Sequence, residues 1–178
     1  MKTRLKFIAA VAILAVIGMG TAAVADNGRE RETLTGYEEV PALSTPGVGD
    51  FRLDVARTGD SINYELTFSG LETDATQAHI HFENATNNGP IVVWLCTNLG
   101  NGPAGTQACP AAGGTITGTI AAADVTAGGA AQGLAAGEFD EFVRALQSGA
   151  TYVNVHSTGH PGGEIRAQIE DNNRGHEN

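Results

Sequence analysis

Apolar and polar residues alternate through the stretch DFRLDVARTGDSINYELTF, residues 50–68. Successive side chains of a strand point to opposite faces, so the alternation places seven apolar side chains on one face: Phe51, Leu53, Val55, Ile62, Tyr64, Leu66 and Phe68. Between the two halves, Arg57-Thr-Gly-Asp60 supplies a short turn. The stretch therefore predicts a β-hairpin with one buried face.

The same period of two recurs in later segments that Gly, Asn and Pro separate: Gln77–Glu83, Pro90–Leu95, Gly114–Ile120, Ala150–Ser157 and Gly163–Ile169. Seven or so short strands are typical of β-sandwiches and barrels. We expect an all-β fold, specifically an antiparallel, Greek-key-like β-sandwich.

One segment departs from the strand period. Between Gly137 and Gly149, four apolar residues follow helical spacing: Phe139, Phe142, Val143 and Leu146. Acidic residues precede or occupy its first turn, and Gly149 follows its end. The pattern predicts one short amphipathic helix from Gly137 to Ser148, packed against the sheet.

The first residues resemble an export signal. Three basic residues precede an apolar run over 7–19, and Ala23-Val-Ala25 matches the small-x-small pattern of signal-peptidase sites. The run is shorter than the roughly 20 residues of a transmembrane helix, so we expect no transmembrane segment in the mature chain. We expect a secreted or periplasmic protein with a signal peptide at 1–25, a disordered N-terminus at 26–32, one domain at 33–170 and a polar tail at 171–178.

Charge limits the kinds of partner. Removing the three basic residues of the signal leaves 7 basic residues against 20 acidic ones, a net charge of about −13. Nucleic acids and anionic membranes require a basic surface, so we expect no nucleic-acid partner. An envelope or extracellular protein, a glycan and a small ligand remain open as partners.

The chain has two cysteines, Cys96 and Cys109. An even pair in an exported chain predicts a disulfide, because disulfides persist in oxidising compartments. Two soft metal ligands are the alternative, although no histidine lies near them in sequence.

Strand parity groups polar residues on one side of three predicted strands. In Gln77–Glu83, both histidines of His79-Ile-His81 face away from Ile80 and Phe82. Because the aliphatic sides form the core, we expect an outward polar face with these residues: His79, His81, Tyr152, Asn154, His156, Glu164 and Arg166. His160 is a further candidate for this ligand-binding face.

Three imidazoles on one face suggest a metal site at His79, His81 and His156. Neutral imidazole is a common ligand of copper and zinc, and residues i and i+2 of a strand lie close enough to share an ion. Metal affinity would then fall near pH 6.5, where protons compete for the ring nitrogens. The alternative is a solvated face on which imidazoles and amides hydrogen-bond across strands.

Glu38 and Glu39 form an acidic pair. Adjacent strand residues face opposite ways, so the two carboxylates cannot flank one scissile bond as in glycoside hydrolysis. We interpret both as solvated residues of an edge or loop.

A series of motifs resembles the CHRD domain, named from chordin and widespread in exported bacterial proteins. In chain order they are Gly36-Tyr-Glu-Glu-Val-Pro41, Gly70-Leu71, Ala78-His-Ile-His81, Asn88-Gly-Pro-Ile-Val-Val93, Gly114-Thr-Ile-Thr-Gly-Thr-Ile120, Gly149-Ala-Thr-Tyr-Val-Asn-Val-His156 and Pro161-Gly-Gly-Glu-Ile-Arg166. The resemblance makes 33–170 a CHRD domain. Ala42 and Ala167 depart from the usual Pro and Gly.

In chordin such domains belong to an extracellular protein that binds growth factors, a partner that a single exported copy does not inherit. The expected function is a non-enzymatic exported binding module. A fainter similarity is to copper-zinc superoxide dismutases, which also carry a His-x-His on a sandwich strand. That family needs a fourth copper ligand and a zinc loop, and here only His160 could be the extra ligand. A metal-binding or metalloredox protein that uses copper or zinc is therefore the alternative function.

Overall fold

The computed structural model describes residues 29–170. Eight β-strands make up most of this part of the chain: β1 Arg29–Thr35, β2 Val48–Val55, β3 Ile62–Ser69, β4 Ala75–Phe82, β5 Ile91–Thr97, β6 Gly114–Ile120, β7 Thr151–Ser157 and β8 Ile165–Ile169. No helix within these residues is long and apolar enough to cross a membrane. The predicted signal peptide and polar tail lie outside the described residues.

All eight strands pair antiparallel in one sheet, in the order β5-β4-β7-β8-β1-β2-β3-β6. The two halves of this sheet meet where Thr35 on β1 pairs with Arg166 on β8, and the Glu170 amide donates to Glu32 Oε1 (3.1 Å) at the same junction. At the other end, Tyr64 Oη donates a hydrogen bond to the Leu95 carbonyl on β5 (3.3 Å). The mostly β, antiparallel fold is confirmed, and its strands form one nearly closed sheet with a barrel-like shape.

The predicted hairpin is confirmed as β2 and β3. Phe51 pairs with Leu66 and Leu53 pairs with Tyr64, and all four side chains are buried. Burying a large apolar side chain of this kind contributes about 1.5–3 kcal/mol. Strand parity, as read from the sequence, therefore identifies the core face of the hairpin correctly.

The predicted helix is confirmed as α1, Phe139–Gln147. Phe139, Phe142 and Leu146 are buried on one face, and two acidic residues occupy the first turn. Gly149 follows with φ of 66°, a left-handed conformation that glycine adopts without steric cost. Three short 3₁₀ turns complete the helical structure of the described residues: Gly36–Glu38, Ala122–Asp124 and Ala127–Gln132.

The N-terminal segment differs from the prediction. We expected residues 26–32 to be disordered, but β1 begins at Arg29 and pairs with β2 from Val48 to Asp54. The Arg31 guanidinium donates two hydrogen bonds to Asp50 Oδ2 (2.9 and 2.7 Å), and Leu34 is fully buried. The polar composition of β1 gives no strand signal in the sequence. The strand is stable because it pairs with β2 and β8.

The predicted disulfide is confirmed between Cys96 on β5 and Cys109. Asn98 holds the loop that the disulfide closes. The Asn98 side chain donates to the carbonyls of Ala75 (2.9 Å) and Cys109 (3.1 Å) and accepts from the Cys109 amide (3.0 Å). The two cysteines are not metal ligands.

The double variant Cys96→Ala/Cys109→Ala is expected to lose about 3 kcal/mol of unfolding free energy, because the crosslink limits the freedom of the unfolded chain. Urea unfolding of the variant measures the loss. The unmodified protein under reducing conditions is the control and should lose a similar amount. A loss below about 1 kcal/mol in both would show that the crosslink contributes little.

Candidate metal centre

The pairing of β4 with β7 brings the three predicted histidines together. His79 pairs with Asn154 and His81 pairs with Tyr152, while His156 lies one step along β7 on the same face. One ring nitrogen from each of His79, His81 and His156 can be chosen so that all three lie within 4.8 Å of one another. His79 Nδ1 lies 3.2 Å from His156 Nε2. The predicted convergence of the three imidazoles is confirmed.

The expectation that this face is open to water is wrong. His79, His81 and His156 are only 0%, 7% and 6% exposed. Parity correctly turns them away from Ile80 and Val153, but two loops cover the face that they occupy. Backbone groups of the β4–β5 loop and the β7–β8 loop contact His81 and His156 directly.

These backbone contacts define which ring nitrogens carry protons. His81 Nδ1 lies 2.8 Å from the Gly89 carbonyl, and His156 Nδ1 lies 3.0 Å from the Pro161 carbonyl. A carbonyl oxygen only accepts, so both Nδ1 atoms must be protonated donors. In a neutral ring the Nε2 atom then carries a lone pair.

Both lone pairs point at a third acceptor. The Asn154 side-chain oxygen, Oδ1, lies 3.1 Å from His81 Nε2 and 3.0 Å from His156 Nε2. With the amide in this orientation, none of the three atoms has a proton to give, so they repel unless a donor or a cation lies among them. His79 has one N–H in its neutral form: either Nδ1 donates to His156 Nε2, 3.2 Å away, or the proton is on the buried Nε2 atom, which has no hydrogen-bond partner among the described residues. In the second tautomer, lone pairs of His79 Nδ1, His81 Nε2 and His156 Nε2 converge with the Asn154 oxygen, which is the arrangement that a metal ion requires.

Burial keeps the imidazoles neutral. It lowers the pKa of His79 to about 2, with the neighbouring histidines contributing, and lowers the pKa of His81 to about 4. The pKa of His156 is also lowered, again mainly by burial. Neutral rings are the form that binds a metal ion.

Tyr152 and Arg166, both predicted site residues, stack beside the histidines. The rings of His81 and Tyr152 are parallel within 1°, with centroids 4.6 Å apart. The Arg166 guanidinium carbon lies 3.3 Å from the centre of the Tyr152 ring. This stack holds His81 in place, and the Arg166 charge disfavours protonation of His81 and so helps to lower its pKa.

Arg166 is buried with an unusual set of partners. Its guanidinium donates to Asn88 Oδ1 (3.2 Å) and to the carbonyls of Asn84 (3.2 Å) and Asn87 (3.0 Å). No described carboxylate lies within ion-pair distance of it. Arg166 therefore fixes the β4–β5 loop over the histidines, and it does not form the exposed edge that we expected.

Glu164 and His160 do not join the centre. Glu164 is fully buried, where Oε1 accepts hydrogen bonds from Thr45 Oγ1 (2.6 Å) and the Glu72 amide (2.7 Å). His160 Nε2 lies 2.8 Å from Glu72 Oε2. The prediction of Glu164 at the edge of an outward face is wrong, and His160 is not a fourth member of the histidine cluster.

Sequence reasoning missed several residues of the site. Trp94 packs edge-on against His79 with ring centroids 4.3 Å apart, a contact that depends on the β4–β5 register. The Gly89 and Pro161 carbonyls belong to motifs that were noted but had no assigned role. Glu39, which we interpreted from the sequence as solvated, is buried beside Gly163 of the β7–β8 loop. Glu38 is exposed as expected.

A comparison with known families agrees with the sequence motifs. The CHRD domain matches residues 31–169, most of the chain. The chain therefore belongs to the CHRD domain family. Neither the curated proteins nor the solved structures include a match to it.

The lowered pKa values predict that the histidines make an acid-sensitive contribution to stability. The unfolded state binds protons near pH 6.5 but folded His79 and His81 do not, so their contribution to the unfolding free energy should fall as pH drops below 6.5. The raised pKa values of Glu32 and Glu39, both about 7, act in the opposite direction over the same range, so the histidine contribution is measured as a difference between two proteins. Each such histidine contributes a slope of about 1.4 kcal/mol per pH unit until its folded pKa is reached.

Urea unfolding between pH 6.5 and pH 4.5 measures this slope. In the variant His81→Gln, the slope of unfolding free energy against pH should be smaller by about 1.4 kcal/mol per pH unit, the contribution of one proton. Glu32 and Glu39 contribute equally in both proteins, so they do not affect this difference. Identical slopes in the two proteins would mean that His81 is protonated in the folded state.

Proposed function

We propose that this CHRD domain is an exported, non-enzymatic binding module that holds one copper or zinc ion at His79, His81 and His156. One observation carries the proposal: one ring nitrogen of each buried histidine lies within 4.8 Å of the other two, and the Asn154 side-chain oxygen lies 3.0–3.1 Å from two Nε2 atoms of the cluster. Family membership supports an extracellular interaction module, and the disulfide is compatible with an oxidising compartment.

The spacing of the acceptors suits a tetrahedral ion. Two ligand atoms with bonds of about 2.0–2.1 Å to such an ion lie about 3.3 Å apart. His79 Nδ1 and His156 Nε2 are 3.2 Å apart, and Asn154 Oδ1 is 3.0–3.1 Å from two Nε2 atoms. The three ring nitrogens lie within 4.8 Å of one another, so the wider of these separations would have to shorten on binding to complete a site with three nitrogens and one oxygen.

The surroundings resemble those of metal sites with a second layer of hydrogen bonds. In such sites a ligating histidine donates its other N–H to a carbonyl or carboxylate, which fixes the ring and its tautomer. The Gly89 and Pro161 carbonyls have this position relative to His81 and His156. His79 instead lies against Trp94, which shields that side of the cluster from water.

Burial favours retention of the ion over catalysis. A catalytic metal keeps one position open for water or substrate, whereas structural sites are closed. Asn154 and all three histidines are buried, and the Asn154 oxygen, 3.0–3.1 Å from two Nε2 atoms, would be the fourth ligand. Storage, sequestration or structural use of the metal follows from a closed site.

Calorimetric titration of the mature protein is expected to show one Zn²⁺ or Cu²⁺ bound per chain with micromolar or tighter affinity. The variant His81→Ala should bind at least a hundredfold more weakly, because one of the three nitrogens is lost. His160→Ala, which removes a histidine outside the cluster, is the matched control and should bind as the unmodified protein does. Equal affinity in all three proteins would contradict the site.

Two further arms sharpen this titration. Asn154→Asp should hold Zn²⁺ at least as tightly as the unmodified protein, because it offers a charged oxygen at the same place. Because folded His81 stays neutral to about pH 4, the affinity should change little between pH 7.5 and pH 5.5. A steep loss near pH 6.5, as the sequence alone suggested, would place the ligands in solvent.

A further inference from the structure

A second concave site lies beside the histidine centre. It is a surface pocket of about 410 Å³ between the segment that follows β1 and the β7–β8 loop. Its lining includes Glu39, Pro41, Leu43, Asn88, His160 and Pro161. Most of this wall is apolar, and Glu39 is its one buried carboxylate.

Glu39 is built into this pocket without a complete set of partners. The residue is 7% exposed, and its Oε1 atom has no hydrogen-bond partner among the described residues. A buried carboxylate oxygen without a donor is costly and rare in folded proteins. A bound group that supplies a donor would remove this cost.

Gly163 provides the space that the carboxylate occupies. A Cβ atom at this position would lie 2.5 Å from Glu39 Oε1 and 2.8 Å from Oε2. The φ of Gly163, 128°, is also one that residues with side chains rarely adopt. The loop is thus shaped around the Glu39 carboxylate, which distinguishes this residue from an incidental surface acid.

Nearby basic side chains do not satisfy Glu39. Arg166 and His160 both act to lower its pKa, but burial outweighs them and raises the pKa to about 7. The Arg166 guanidinium donates its hydrogen bonds to Asn84, Asn87 and Asn88, and His160 Nε2 contacts Glu72. The pocket therefore retains an acceptor that the described residues leave unused.

We propose that this pocket binds a primary ammonium group on a short alkyl chain, as in a free alkylamine or a lysine side chain. The ammonium donates to the Glu39 carboxylate, which lines the pocket and rotates so that the buried Oε1 atom meets the donor, and its methylene groups contact Val40, Pro41 and Leu43. The net charge of the whole chain, −10, favours the approach of a cation. This site is separate from the histidine centre, and the proposal does not depend on a bound metal.

The test titrates the mature protein with n-butylamine at pH 8, where the ligand is charged, and follows binding by NMR chemical-shift changes. Glu39→Gln removes the carboxylate charge at constant size. Glu38→Gln removes the same charge one residue away on an exposed side chain and is the matched control. n-Butanol and butyrate have the same chain length without the positive charge.

We expect saturable binding of n-butylamine to the unmodified protein and to Glu38→Gln, with shifts at Gly163 and Leu43. Affinity should be at least tenfold weaker in Glu39→Gln, and n-butanol and butyrate should not saturate. Equal affinity in Glu39→Gln, or binding of butyrate in preference to the amine, would overturn the proposal. If Glu39→Gln does not fold, the comparison of the three ligands on the unmodified protein still decides it.

A second ligand pair distinguishes the two sources of the ammonium group. Nα-acetyl-lysine amide presents a lysine side chain with peptide groups, whereas n-butylamine presents the chain alone. Tighter binding of the lysine derivative would support the proposal and identify the ligand as a lysine side chain of a protein partner. Equal binding of the two ligands would support the proposal and identify the ligand as a free alkylamine. Failure of both ligands to bind overturns it and leaves the proposed metal centre untouched.

Discussion

The histidine centre depends on one contact, in which the Asn154 side-chain oxygen lies about 3 Å from the Nε2 atoms of both His81 and His156. Each Nδ1 atom already donates to a carbonyl, so each neutral ring presents a lone pair to an oxygen that also carries lone pairs. Protonating the rings would relieve the repulsion, but burial lowers the pKa of both histidines. A cation relieves the repulsion without protonating a buried ring, because the two Nε2 atoms and the Asn154 oxygen then all act as its ligands.

The fold produces this arrangement through register and through loops. Antiparallel pairing of β4 with β7 places His79 beside Asn154 and His81 beside Tyr152. The β4–β5 loop, held by Arg166, and the β7–β8 loop then cover the rings and supply the carbonyls of Gly89 and Pro161. The same two loops line the pocket that contains Glu39, so the two proposed sites share a wall that includes Asn88 and Pro161.

Local pattern predicted much of this molecule. The alternation over residues 50–68 gave the β2–β3 hairpin, helical spacing gave α1, and parity placed the three histidines on one face. Burial of that face could not be predicted, because it depends on loops whose positions are set by distant pairings such as Arg166 with Asn87. For the same reason Glu39, one residue from the exposed Glu38, could not be identified as a buried acid, and β1 could not be identified from a segment of alternating charges.

Anomalous diffraction tests the central claim most directly, using crystals of the protein grown with one equivalent of Zn²⁺ at pH 7.5. The account predicts a single zinc peak within about 2.0–2.1 Å of a nitrogen from each of His79, His81 and His156, with the Asn154 oxygen facing it. The contradicting result is the absence of zinc there, with the Asn154 amide rotated so that its NH₂ group donates to both Nε2 atoms. In that case the three imidazoles would be a hydrogen-bonded part of the core and not a metal centre.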